Sequence, residues 1–196
     1  NGWVIKDGTQ RTRQLLGLFT SKYGAPARVY VGGASMGGLI AIRMIETWPD
    51  QFAGVLPACA AAGGSTREYD YFLNVRVLFD LFYPGVLSGT LVDVPADIDV
   101  TSDIILPAIA AMSANLTGAS TIARITQTPV PFASGAELIQ SIVTALVGAS
   151  NYPHVLSLTH GRPFFDNSDT DYTGALPAMV LQSINASIQR FSASPA

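Results

Sequence analysis

The stretch from Arg28 to Gly38, RVYVGGASMGG, restricts what this chain can fold into more than any other. Arg28-Val29-Tyr30-Val31-Gly32 is a short β-branched and aromatic run of the kind that forms a buried parallel strand. After the glycine-rich residues 33 to 38, Leu39, Ile40, Ile42, Met44 and Ile45 continue into a helix. That helix must end at Trp48-Pro49, because proline cannot extend it and biases its predecessor away from helical angles. Upstream, Asp7 to Tyr23 carries Leu15, Leu16, Leu18 and Phe19 near helical spacing, with Asp7 or Thr9 as cap and Gly24-Ala25-Pro26 as stop. Downstream, Phe52 to Cys59 reads as the next strand. The order helix, strand, tight turn, helix, strand predicts a right-handed βαβ unit of a doubly wound sheet, and so an α/β fold class.

At such a strand-to-helix corner the pentapeptide Gly33-Ala34-Ser35-Met36-Gly37 acquires a chemical meaning that it lacks in isolation. A serine there must adopt a strained backbone conformation that lifts its Oγ out of the sheet, and Gly33 and Gly37 let the chain pass closely. Gly32 and Gly38 widen that allowance. The helix beginning at Met36 aims free N–H groups and the positive end of its dipole at the site, which stabilises negative charge on a reacting carbonyl oxygen. Ser35 is therefore the expected nucleophile and the Met36 N–H the expected oxyanion donor. A phosphate-binding turn is the competing reading, but the stretch lacks both the Gly-x-Gly-x-x-Gly order and the Lys-Ser/Thr of a P-loop.

Composition narrows the partners. With 48% hydrophobic residues over 196 positions and a mean hydropathy of +0.33, the chain can bury a sizeable core. Charged residues make up 13%, about half the usual share of roughly 25%. The net charge is −3, and Arg11, Arg13, Lys22, Arg28 and Arg43 are scattered, so nothing favours a nucleic-acid partner. The sole cysteine, Cys59, sits among apolar residues and is expected to be a small buried hydrophobe. No stretch approaches the ~20 apolar residues of a membrane span. Asp93, Asp97, Asp99 and Asp103 lack calcium-loop spacing and are read as loop solvation and helix caps. No cofactor or metal is expected. Low charge and a processed-looking start at Asn1 point to a secreted or periplasmic protein, with the cytoplasm as the alternative. The sequons at Asn115 and Asn185 matter only in a host that glycosylates.

Beyond Gly63-Gly64 the strand pattern gives way to apolar helical segments broken by Pro and Gly: Tyr69 to Phe82, Asp103 to Leu116 and Ala136 to Val147. Thr101-Ser102-Asp103 and Ser134 offer N-caps, and Gly118 and Gly148 offer stops. A helical insertion after the strand that follows the nucleophile is where hydrolases carry a lid, which shapes an apolar pocket. Leu78, Phe79, Phe82, Tyr83, Ile104, Ile105 and Ile109 are read mainly as the internal core of that helical region. Trp3, Trp48, Tyr69, Tyr71, Phe164 and Phe165 are dispersed, so packing accounts for them better than ligand stacking.

The run RVYVGGASMGG, with Glu46-Thr-Trp-Pro and Phe52-Ala-Gly-Val-Leu-Pro-Ala-Cys, resembles a group of bacterial α/β-hydrolases with a large helical lid. Tyr71-Phe-Leu-Asn-Val-Arg, Pro163-Phe-Phe-Asp-Asn with Tyr172-Thr-Gly, and Ile184-Asn-Ala-Ser-Ile-Gln-Arg-Phe-Ser-Ala-Ser-Pro resemble the lid and its return helix. The resemblance implies a partial hydrolase core over residues 1–66, a lid over 67–180 and a return helix over 181–196. It implies a serine esterase acting on small-molecule or polymeric esters with an apolar part. It also implies that the earlier strands with the second oxyanion donor, and the triad aspartate and histidine, belong to segments or chains outside this sequence. A peptidase, lactonase or acyltransferase would use the same turn, and a non-catalytic or partner-dependent subunit would keep the fold without turnover.

An internal triad is the alternative. The order Ser, acid, His is met by Ser35, Glu137 and His160, with Thr128 to Glu137 imitating a strand, a glycine and an acid. Pro129 and Pro131 would remove ladder donors from a strand that has to be central, which argues against it. His160 is then a lid histidine, and His154 a polar helix-start or surface residue.

Overall fold

The computed structural model describes residues 3–91, 93–95, 97–130 and 134–193. The chain divides into two compact units, residues 1–68 and 69–196.

The first unit holds α1 (Ile5–Tyr23), β1 (Tyr30–Ala34), α2 (Met36–Thr47), a single 3-10 turn (Pro49–Gln51) and β2 (Gly54–Ala58). The two strands pair in parallel, with Tyr30 opposite Gly54 and Ala34 opposite Ala58. This is the expected βαβ unit. In place of a wide doubly wound sheet, however, these two strands are the whole sheet among the described residues. The core is Val31, Ala41, Met44 and Phe52, onto which Leu16 of α1 and Ile40, Ile45 and Val55 pack. The opposite sheet face is open: Tyr30 is 66% and Leu56 75% exposed. Parallel sheets ordinarily bury both faces, so this apolar face is unusual.

Three expectations need correction here. α1 begins two residues before Asp7, on Val4 with no side-chain cap, and the Thr9 hydroxyl donates to Ile5 O at 2.7 Å instead of capping. Asp7 still lies in the first turn, where the helix dipole favours a carboxylate. Finally, Cys59 is exposed with φ 46°, because it is the turning residue just past β2 and not part of the strand.

The second unit is helical. It contains most of α3 (Ser65–Phe82), a π-helical turn (Val100–Ile105), α4 (Leu106–Ala114), α5 (Leu116–Thr126), α6 (Gly135–Ala149), α7 (Tyr152–Leu158) and α8 (Ala178–Ser187). Leu73, Leu78, Phe79, Ile104, Ile122 and Leu146 are almost wholly buried, so the residues weighed as pocket lining are mostly core. Tyr69 and Tyr152 meet Phe164 at ring separations of 5.8 and 5.0 Å. Arg76 is buried and puts its Nε 2.9 Å from both Asp80 carboxylate oxygens, while a guanidinium N–H donates to Gly89 O. Burial pushes the Asp80 carboxyl up, and the Arg76 charge and hydrogen bond oppose that.

The helix expected over Asp103 to Leu116 is three pieces, because Asn115 accepts from Gly118 N and starts a new helix whose axis turns by 107°. The cap expected at residues 101–103 is Asp99, which accepts from Thr101 N and Ser102 N at 2.9 Å. Gly118 and Gly148 end nothing. Each lies inside a helix where a Cβ would collide with the Tyr83 or Phe72 ring. No single described helix is long and apolar enough to cross a membrane.

Asn167, fully buried, ties the end of this unit together. Its amide donates to Tyr172 Oη and Gln189 O, and its carbonyl oxygen accepts from Phe191 N at 2.6 Å. The Arg190 guanidinium donates to Asn167 O. Asn185, in α8, exchanges hydrogen bonds with the Tyr172 backbone.

Candidate active site

Ser35 stands between the end of β1 and the start of α2, with φ 52° and ψ −122°. A positive φ is uncommon for a residue with a Cβ, and this ψ also lies far from the left-handed helical well near +47°. Gln127, by contrast, has φ 54° and ψ 36° and is an ordinary left-handed helix end. A conformation like that of Ser35 costs on the order of 1–3 kcal/mol and persists only where surrounding structure enforces it.

The enforcement comes from both sides of the turn. Ser35 N donates to Ala58 O at 2.9 Å, which ties the corner to β2. Gly38 N and Leu39 N donate to Ser35 O at 2.9 and 3.2 Å, which fixes the first turn of α2. A Cβ on Gly33 would overlap the Gly37 carbonyl, and one on Gly38 would lie 2.7 Å from Ala60 Cβ. Gly33 and Gly38 therefore set the close approach. Gly37 contributes its backbone, since a Cβ there would meet nothing within 4 Å, and Gly32 makes only ordinary contact. The pentapeptide pattern hid the weight carried by Gly38, which shows only in the packing of α2 on residue 60.

The side chain is left free for chemistry. Serine is a favoured helix N-cap because its oxygen usually accepts from the second or third N–H of the helix. Ser35 is the N-cap of α2, yet it makes no cap hydrogen bond, and the residue is exposed. Met36 is the first helical residue, so its N–H has no carbonyl one turn back to bond. A hydroxyl and an unclaimed helix N–H thus lie one residue apart.

The other predicted site residues belong to the second unit. Glu137 is the third residue of α6, and its carboxylate forms a capping box with Ser134: Glu137 N donates to Ser134 Oγ at 3.2 Å and Ser134 N to Glu137 Oε2 at 3.4 Å. Residues 128–130 and 134, the described part of the stretch expected to imitate a strand, are not in one, and Pro131 lies outside the described residues. His160 is exposed with φ 57°, just past α7. His154 is exposed within α7. The carboxylates of the first unit are Asp7, Glu46, Asp50 and Glu68, and it contains no histidine. Of these, burial raises the Glu68 carboxyl above its ordinary range.

Among the described residues no group of three or more His, Cys, Asp or Glu side chains could hold a metal ion. Comparison with protein-family models, curated proteins and solved structures finds no match to this chain.

Proposed function

We propose that this chain carries the nucleophile of a serine hydrolase that cleaves carboxylic esters through an acyl-enzyme on Ser35. The observation that carries the reading is the Ser35 backbone, φ 52° and ψ −122° at a strand-to-helix corner, with an exposed side chain. A strained turn that presents Oγ at the end of a sheet, followed by a helix N-terminus, is what acyl transfer by serine requires.

In the proposed reaction Ser35 Oγ bonds to the ester carbonyl carbon while its proton passes to a base. The Met36 N–H stabilises the oxyanion that forms. Collapse of the intermediate breaks the bond to the alcohol, which leaves with that proton, and water then releases the acid and restores Ser35. A histidine from segments outside this sequence acts first as base and then as acid, an aspartate from the same source orients it and stabilises its charged form, and a second oxyanion donor completes the site. A parallel sheet of only two strands among the described residues supports further strands paired at its edges, and the uncovered face holding Tyr30 and Leu56 supports a layer packed over it. By the same resemblance the helical second unit is the hydrolase's lid insertion and the substrate carries an apolar part, while the low share of charged residues, 13%, supports export.

The test is ester turnover by the complete polypeptide that contains these residues, with p-nitrophenyl acetate and butyrate as substrates. Ser35→Ala is expected to lower kcat by on the order of 10⁴-fold or more. Turnover that survives Ser35→Ala would remove Ser35 from the mechanism.

A further inference from the structure

The second unit contains a cavity of about 220 Å³ that the proposed chemistry does not use. It lies where Tyr71 and Asn74 of α3 face the end of α5 at Ile125 and Thr126 and the segment 170–173. Two of the stretches that stand out in the sequence, Tyr71 to Arg76 and Tyr172-Thr-Gly, therefore meet at one place.

The wall is built and held. Tyr172 Oη donates to Asn74 Oδ1 at 2.6 Å and accepts from buried Asn167. The Tyr71 and Thr126 hydroxyls both bond to the Thr128 hydroxyl, at 3.1 and 2.7 Å. The segment 170–173 is fixed from behind, because the Arg190 guanidinium donates to Thr170 O and Asn185 pins the Tyr172 backbone.

The chemistry of the lining selects a ligand class. Asn74 donates to Asp70 O and accepts from Tyr172, so the wall network holds the shape. The groups offered to a ligand are the Thr170 and Thr173 hydroxyls, which donate and accept, and Asp171, which only accepts. Among the described residues no lysine or arginine lines the cavity, and the Arg190 guanidinium behind it is committed to the carbonyls of Asn167, Thr170 and Asn185, so an anion would have no counter-charge in the cavity. A single exposed carboxylate is too little for a divalent cation, which takes six or more oxygens. Ile125 and the tyrosine rings supply apolar surface. The volume falls below the ~300–1,000 Å³ of drug-sized sites, so one ring-sized group fits. We propose that this cavity is a binding site for one neutral, polyhydroxylated ring, of the monosaccharide class.

The test uses the full chain with methyl α-glucoside, methyl β-galactoside and N-acetylglucosamine, followed by saturation-transfer NMR and calorimetry. At least one of them is expected to bind with a Kd on the order of 1–10 mM. Thr170→Phe, which puts a larger side chain into the lining and keeps the residue 170 carbonyl that accepts from Arg190, should weaken binding more than about tenfold. Asp171→Ala, at an exposed side chain, should weaken it by roughly threefold to tenfold. Circular dichroism and melting checks that both variants fold. Ser35→Ala should bind the sugar as the parent does, so failure here and failure of the hydrolase reading are separable. No binding up to about 50 mM, binding indifferent to both variants, or binding of tetramethylammonium in preference to every sugar would each overturn the proposal.

Discussion

Ser35 and Ser134 occupy the same position in two different helices, the N-cap of α2 in the first unit and the N-cap of α6 in the second. Ser134 has φ −86° and ψ 151°, and its Oγ accepts from Glu137 N while Glu137 reaches back. Ser35 has φ 52° and ψ −122°, and its Oγ caps nothing. The difference is imposed by neighbours. Gly33 and Gly38 allow the chain to double back against Gly37 and Ala60, and Ala58 O holds the Ser35 N–H. Ser134 keeps the extended backbone that a cap prefers. One serine is spent on stabilising its helix, and the other is held in a costly conformation with its hydroxyl unspent.

The sharpest way to break this contrast is at the glycines. Gly33→Ala would drive a Cβ into backbone that cannot yield, so a loss of about 3–5 kcal/mol or failure to fold is expected by thermal or urea unfolding. Gly135→Ala, beside Ser134, would meet only Leu116 side-chain atoms at 3.4 and 3.7 Å and should change stability by no more than about 0.5 kcal/mol. Similar costs at the two glycines would mean that the Ser35 turn is not specially constrained.

The serines themselves come next. Ser35→Gly should raise stability by about 1 kcal/mol, since glycine adopts this φ and ψ without penalty, while abolishing any reaction at the site. Ser134→Ala should lower stability by about 1 kcal/mol through loss of the cap. Opposite signs in paired melting curves are the expected outcome. The same sign for both would contradict the division of roles.

The smallest effect concerns pH. Asp99 caps the π-helical turn with a carboxylate, and its hydrogen bonds from Ser102 N and Thr101 N hold its carboxyl below the usual range. A depressed carboxyl contributes stability above its unfolded value and loses it as pH falls through the lower folded value. The Thr101 and Ser102 amides should therefore keep their chemical shifts from neutral pH through the ordinary carboxylate range and move only below it. The Ser134 hydroxyl does not titrate there. Early movement of the Asp99-bonded amides would show that the carboxylate cap is not formed in solution.

Much of the first unit was legible because local signals agree there: a β-branched run, a glycine corner, an apolar helix and Trp48-Pro49 as its end. Ser134 was legible as a cap for the same reason. The fate of Cys59 was not, since apolar neighbours suggested burial while a left-handed turn after β2 exposes it. The break at Asn115 carries neither Gly nor Pro and is visible only once the side chain is seen capping Gly118. Gly118 and Gly148 looked like helix stops, yet they are spacers against Tyr83 and Phe72, a demand set by distant residues. In the candidate site, the residue types of the turn could be read directly. The backbone angles at Ser35 could be expected from the motif but not measured, and the part played by Gly38 depends on Ala60 across the turn.

Reaction of the complete polypeptide with a fluorophosphonate, read by intact mass and peptide mapping, tests the central claim most directly. A single adduct on Ser35, absent from Ser35→Ala and with Ser134 unmodified, is the predicted result. An unmodified Ser35 in the complete polypeptide, or an adduct placed on another residue, would contradict it.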